Sequence, residues 1–316
     1  MIKAYPEYAH LFSIIGNPEQ NGDYFKWFCQ NYIQLRYDAS TDVDQALFFE
    51  KDVEECSIYR CSLLDKLVFE KQMFTNEKQF CEMAEHYLSK GYYILLILDH
   101  YYIPFNKRRY MRKHLNHESM IYGIDINKGI IYIQDFFMRQ YTKCEININD
   151  FWRAYTHHYD YELFDDERIY LFSKRSAKDI ARIPFQTQKI KSQYINYLYG
   201  ERSYFDDRTY GTKCYDRLIE ELHKDEYDLR NFQILYEHAL SNTIRLKFLQ
   251  NYNIVTDINE LQEMFDLLCH NALLNRNKLL KWRMTGKFQL SQIEDFLRAQ
   301  RQLEMQAISM LLDRWN

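Results

Sequence analysis

The rhythm of apolar and polar positions changes part-way along this chain. Tyr92 to Leu98 is a continuous apolar and aromatic run directly after Gly91. It is too short for a helix and predicts a central β-strand. Before it, Phe80, Met83, Ala84 and Leu88 recur at helical spacing within Glu77–Lys90, which predicts an amphipathic helix stopped by Gly91. After it, Ser119–Asp125 and Ile130–Asp135 flank Asn127-Lys128-Gly129 and predict a hairpin. Lys143–Ile148 and Arg168–Ser173 add two strands, and Asn149 or Asp150 caps a short helix through Phe151 and Tyr155. The sheet reads as a mostly antiparallel meander preceded by helices. One of these is predicted over Gly22–Tyr37, capped by Asn21 or Asp23, with Trp27, Phe28, Ile33 and Leu35 apolar. Thr41–Tyr59 fits neither period.

Beyond about Ser176 the strand patterns disappear. Pro184 is the last proline, and Lys189–Tyr199, Thr212–His223, Leu229–Asn251, Asn259–Trp282 and Ser291–Arg314 all carry helical spacing. Gly211-Thr212, Thr256-Asp257 and the capping box Ser291–Glu294 supply starts, and Gly286 marks a turn between the last two helices. The pattern predicts two domains, an α+β domain over 1–175 and an antiparallel helical bundle over 176–316.

Composition narrows this picture. With 47% hydrophobic residues the chain can bury a core, and only 8 Gly and 4 Pro argue against a turn-rich β-sandwich or barrel. The 28 Tyr and 21 Phe imply cores and clefts with hydroxyl-tipped walls. A net charge of −4 does not favour nucleic acid or an anionic membrane as partner. One local exception holds Lys107, Arg108, Arg109, Arg112 and Lys113. Such a run is more often a solvated loop than a landing strip for an acidic partner. The 7 cysteines include no C-x-x-C pair, as expected of free thiols in a reducing compartment. No run of about 18 apolar residues occurs, and no secretory h-region opens the chain, so the cytoplasm is the default expectation.

The candidate chemistry centres on the hairpin. His117 enters its first strand and Asp135 ends its second, so the two can meet at one end. A carboxylate there would fix the tautomer of the ring and raise the basicity of its other nitrogen. Histidines at strand starts are more often surface residues, and aspartates at strand ends usually begin turns. Cys29, in WFCQNYIQL, is the best nucleophile by position, because a thiolate near a helix N-terminus is stabilised. Against it, a helix starting at Asp23 would place Cys29 in the second turn, and free cysteines are often simply buried. A metal reading of Asp99, His100, His114 and His117 is weaker, since no partner ligand pair stands at zinc spacing. No phosphate-cradling glycine loop and no G-x-S-x-G occur, which disfavours ATP-dependent and serine-hydrolase chemistry.

Asp99-His100-Tyr101-Tyr102-Ile103-Pro104, the basic spacer, His117, Gly123-Ile124-Asp125 and Ile131-Tyr132-Ile133-Gln134-Asp135-Phe136 together resemble the N-terminal domain of the butirosin biosynthesis protein H family. Phe12-Ser13-Ile14-Ile15, Asn31-Tyr32-Ile33-Gln34-Leu35 and Tyr210–Asp216 resemble segments of relatives found beside nonribosomal peptide assembly lines. The resemblance implies a papain-like cysteine-peptidase fold, helices plus antiparallel sheet, followed by the helical domain. It implies an acyltransferase that takes an acyl group from a carrier-protein thioester and passes it to an amine. Cys29 would match the nucleophile, His117 the base and Asp135 the orienting acid. The family's glutamine before the cysteine is not in its expected place, which leaves Gln20 and Asn21 as the nearest oxyanion donors.

The expected reaction is thioester aminolysis through a Cys29 acyl-enzyme. The acyl group arrives on the phosphopantetheine of an acyl or peptidyl carrier protein, and an amine or diamine accepts it. No cofactor or metal is required beyond that carried arm. Lys107, Arg108, Arg109, Arg112 and Lys113 would dock the acidic carrier. A papain-like cysteine peptidase and a non-catalytic carrier-docking protein are the alternatives. The oligomeric state stays open, and the helical half could pair with a second copy.

Overall fold

The structure, a computed structural model, describes residues 2–17, 19, 22–39, 46–50, 54–138, 140–157, 168–200, 208–224, 228–286 and 290–316. Among them the chain first forms α1 (Pro6–Ile15), α2 (Gly22–Cys29), β1 (Leu35–Asp38), β2 (Ala46–Phe49), β3 (Leu64–Glu70), α3 (Glu77–Leu88) and β4 (Tyr93–Asp99). The hairpin of β5 (Asn116–Asp125) and β6 (Ile130–Phe137) follows, then β7 (Gln140–Asn147), α4 (Ile148–Thr156), β8 (Arg168–Lys174) and α5 (Ala177–Ile180). The remainder is α6 (Thr187–Tyr199), β9 (Arg208–Tyr210), α7 (Cys214–His223), α8 (Leu229–Asn251), α9 (Asn259–Thr285) and α10 (Leu290–Asp313). The fold is mixed α+β, with antiparallel sheets and a C-terminal helical region.

Two compact units divide the chain, each assembled from separated segments. A sheet unit takes Tyr5–Asn17 and Ser57–Arg182, and a helical unit takes Met1–Ala4, Pro18–Cys56 and Ile183–Asn316. The division therefore differs from a single cut at 175/176. The reason is long-range pairing that local periodicity does not report. In the helical unit, β1 pairs antiparallel with β2 on one side and β9 on the other, joining residues 35–38 to 208–210.

In the sheet unit the strand order is β3-β8-β4-β5-β6-β7, every neighbour antiparallel. Leu96, Leu98, Ile121, Ile131 and Ile133 point to one face, where Phe80 and Ala84 of α3 and Phe151 and Tyr155 of α4 close the core. Asn76 caps α3 by accepting from Gln79 N, and Asn147 caps α4 by accepting from Asn149 N. The cap of α4 is thus Asn147, two residues before Asn149 and three before Asp150.

The helix expected over Gly22–Tyr37 stops at Cys29, and β1 begins at Leu35. Two features end it. Tyr32 lies in the left-handed region at φ 62°, a conformation that an L side chain adopts only when its surroundings enforce it. Arg245 of α8, fully buried, donates to the carbonyls of Cys29 (2.9 Å), Asn31 (2.7 Å) and Tyr32 (3.2 Å), the groups that helix continuation would have used.

The helical unit is pinned by a second buried polar cluster. Glu304 of α10 lies 3.0 Å from His238 Nδ1 of α8. It also accepts from Tyr197 of α6 (2.8 Å) and Tyr215 of α7 (2.9 Å). Gly211 is held at φ +60° where an added Cβ would meet Tyr197 O at 2.2 Å, so only glycine fits that crossing.

Candidate active site

Strand register brings the polar residues of the sheet unit together. Asp99 faces Asn116 and Leu98 faces His117 across β4–β5, and Met120 faces Gln134 across β5–β6. Ser119 and Asp135 are therefore the next opposed positions. His117 shares their face, two residues further along β5. His100 follows β4 directly, in the short 3-10 turn His100–Tyr102.

Asp135 is fully buried and collects four donors. His117 Nδ1 (2.9 Å), His100 Nε2 (3.0 Å) and Ser119 Oγ (2.5 Å) reach Oδ2, and the amide of Phe136 reaches Oδ1 at 2.5 Å. Burial opposes its charge, yet the adjacent His117 and His100 and their hydrogen bonds hold the carboxyl far below its ordinary range. The same exchange acts on His117. Burial pulls its pKa down, and the charge and hydrogen bond of Asp135 outweigh this, leaving it raised.

The tautomers follow from the partners. His117 Nδ1 faces only acceptors, the Asp135 carboxylate and Glu118 O at 3.2 Å, so it carries the proton. Nε2 is then the lone-pair nitrogen. It has no hydrogen-bond partner among the described residues, and the side chain is 25% exposed. His100 is the reverse case. It is fully buried, stacks on Phe137 at 5.3 Å, and takes Asn106 Nδ2 on its Nδ1 at 2.9 Å, so its Nε2–H donates to Asp135.

Asn106 belongs to the loop between β4 and β5, and its carbonyl accepts from the amides of Arg109 and Tyr110. Lys107, Arg108, Arg112 and Lys113 of that loop are exposed and Arg109 is half-buried. The basic run is thus carried on a loop whose inner anchor is hydrogen-bonded to the Asp135 cluster. A second imidazole–carboxylate pair, His114 with buried Asp99, sits at the base of the same loop, with Tyr101 stacked on His114 at 4.2 Å.

On the opposite face of the sheet, His10 of α1 hydrogen-bonds Tyr141 at 2.7 Å and lies against Glu118, which also accepts from Tyr59. Burial lowers the His10 pKa to about 4 and raises that of Glu118 to about 7. A hollow of about 580 Å³ in the same unit is lined by Tyr59, Cys61, Lys66, Tyr92 and Phe172, and includes neither His117 nor Asp135.

Cys29 belongs to the helical unit, whereas His117 and Asp135 share the sheet unit. It is the last residue of α2, not near its first turn, and is fully buried. Burial pushes its thiol up to about 12, with the Arg245 charge only partly offsetting this. Helix polarity disfavours a thiolate at this end. The sheet unit has three cysteines of its own, Cys61, Cys81 and Cys144, all buried. Burial raises Cys81 to about 11 and Cys144 to about 12. Gln20 and Asn21, the oxyanion candidates, lie outside the described residues.

A ring nitrogen of His100, one of His117 and an Asp135 oxygen lie within 4.8 Å of one another, the donor types of a divalent transition-metal site. In the arrangement described, the ring protons occupy the space between them, and a cation would have to displace both. Asn106 and Ser119 join the Asp135 cluster without any mark in the sequence pattern, and His100, read from sequence only as a possible metal ligand, joins it as a hydrogen-bond donor. The available signal was the Asp99-His100 dipeptide at the end of an apolar strand. No protein-family model matches the sequence, and a comparison with the curated proteins also finds no match.

Proposed function

We propose that this protein is an acyltransferase that forms amide bonds from thioesters, with His117 as general base and Asp135 as the carboxylate that orients it. The observation that carries this reading is the lone-pair nitrogen of His117, left without a hydrogen-bond partner among the described residues on a side chain 25% exposed, while a buried, four-fold hydrogen-bonded aspartate holds the ring through Nδ1. That is the arrangement needed to move a proton between an attacking amine and a leaving sulfur. A papain-like type and a carrier-borne acyl donor belong to this proposal, with the exposed lysines and arginines of the β4–β5 loop as the carrier's dock.

In the direct form, the amine attacks the thioester carbonyl and a C–N bond forms. His117 Nε2 takes the proton of the attacking nitrogen. The tetrahedral adduct then expels the thiolate, which recovers that proton from His117. Thioester and amine become amide and thiol, with no net proton or electron exchanged. The covalent form adds a Cys29 acyl-enzyme and requires the thiol to be uncovered first, given its burial and its raised pKa.

Incubation with an acyl-pantetheine thioester and a diamine, followed by mass spectrometry of product and intact protein, tests the reading. Amide formation that falls by about 10²-fold or more in His117→Ala is the expected result. An adduct lost in Cys29→Ala selects the covalent form, and amide retained in Cys29→Ala selects the direct form. Wild-type protein that yields no amide above the uncatalysed rate overturns the proposal.

A further inference from the structure

The two edges of the six-stranded sheet are built differently. The β7 edge turns polar side chains outward, with Gln140, Lys143, Glu145 and Asn147 exposed. That composition discourages further pairing. The β3 edge is seven residues long and leaves Leu67 and Val68 exposed at 37% and 43%. Among the described residues no strand pairs with its outer side.

Its outward hydrogen-bonding groups follow from its register on β8. Arg175 N donates to Leu63 O, and Leu64 faces Lys174, Asp65 faces Ser173 and Leu67 faces Leu171. Hydrogen-bonded and non-hydrogen-bonded pairs alternate in an antiparallel ladder. Asp65, Leu67 and Phe69 therefore spend their backbone groups on β8, while Lys66 and Val68 present N–H and C=O outward. An incoming antiparallel strand has to match outward residues with outward residues. For a second copy of β3 this leaves three central registers. Centring on Lys66 opposes two lysines and sets Asp65 against Leu67. Centring on Leu67 sets Lys66 against Val68 and Asp65 against Phe69. Centring on Val68 sets Lys66 against Glu70 twice, Leu67 against Phe69 twice, and Val68 against itself. In the third register, across positions 66–70, each charge meets its opposite and each apolar side chain meets another, while Leu64 and Asp65 overhang the paired stretch.

We infer that β3 is a self-association edge, and that two copies of this chain pair antiparallel about Val68 to join their sheets. The Lys66–Glu70 pairs fix the register on one face. On the other face Leu67 and Phe69 extend the apolar row in which Phe69 already meets Phe74 and Tyr87.

Sedimentation velocity on the full chain over a range of concentrations tests this. The wild type is expected to dimerise. Lys66→Glu should weaken the dimer about tenfold or more, and Lys66→Glu with Glu70→Lys should restore it. Val68→Pro, which removes an outward N–H and spares the β8 ladder, should abolish pairing, with circular dichroism confirming the fold. A wild type that stays monomeric at all concentrations overturns the inference. So does a dimer that Lys66→Glu leaves unchanged, or one that the double charge swap fails to rescue.

Discussion

Asp135 is the residue on which the site turns, because its ionisation is shared among neighbours. His100 and Ser119 hydrogen-bond the same oxygen as His117, so the carboxylate is kept charged and in one rotamer by groups that never reach the surface. His117 feels the result as a raised pKa. Asp135→Asn removes the opposing charge, and the His117 ring titration followed by NMR should then move to lower pH. The rate of amide formation requires neutral His117, so it should rise with pH through that same ionisation. Its inflection should move down with the Asp135→Asn ring titration. A ring titration that ignores the substitution would separate the two side chains in solution. His100→Phe should leave the His117 Nε2 face intact but withdraw one donor from Asp135. It should lower the rate with little change in substrate KM, since His100 is fully buried and serves as a positioning residue.

At the scale of elements, the helix that ends at Cys29 depends on one guanidinium. Arg245 bonds the carbonyl of the last helical residue and two beyond it, and also Asn242 Oδ1 and Tyr194. Arg245→Met keeps much of the volume and removes the guanidinium donors from those buried carbonyls. A loss on the order of 3–5 kcal/mol in chemical denaturation is expected. The same contact explains what the sequence could and could not disclose. The hairpin of β5 and β6 was readable from alternation around Asn127-Lys128-Gly129, and the meeting of His117 with Asp135 follows from that register alone. Helices α8 and α3 were readable because each carries its own period and cap. The end of α2 was not, since a residue 216 positions away in sequence from Cys29 determines it. Nor were β1, β2 and β9, whose short runs acquire meaning only when paired. β3 was missed for a related reason: as an edge strand it lacks the clean inside–outside alternation that marks β6.

For the whole molecule, several buried ionisable groups set the pH response of stability. Glu54, Glu118 and Glu237 are raised to about 7 by burial, so the folded chain binds more protons than the unfolded chain between about pH 4.5 and 7. Their contribution weakens as pH rises through that window. His117, also raised, contributes fully below its ordinary pKa of 6.5 and loses that contribution as pH climbs through its folded value. His10, lowered to about 4, acts in the opposite sense and destabilises as pH falls from 6.5 toward 4. Three carboxylates and one imidazole oppose a single histidine. The melting temperature should therefore decline from about pH 5.5 to about pH 8, and Glu54→Gln with Glu237→Gln should flatten that decline. The segmented composition of the two units has a consequence for synthesis. Once residue 182 has left the ribosome, every strand of the six-stranded sheet is present and that unit can close. Residues 18–56 emerge early, but their partners β9 and Arg245 of α8 are translated only after the sheet unit. The end of α2 and strand β1 can therefore complete their packing only after α8 and β9 have been made.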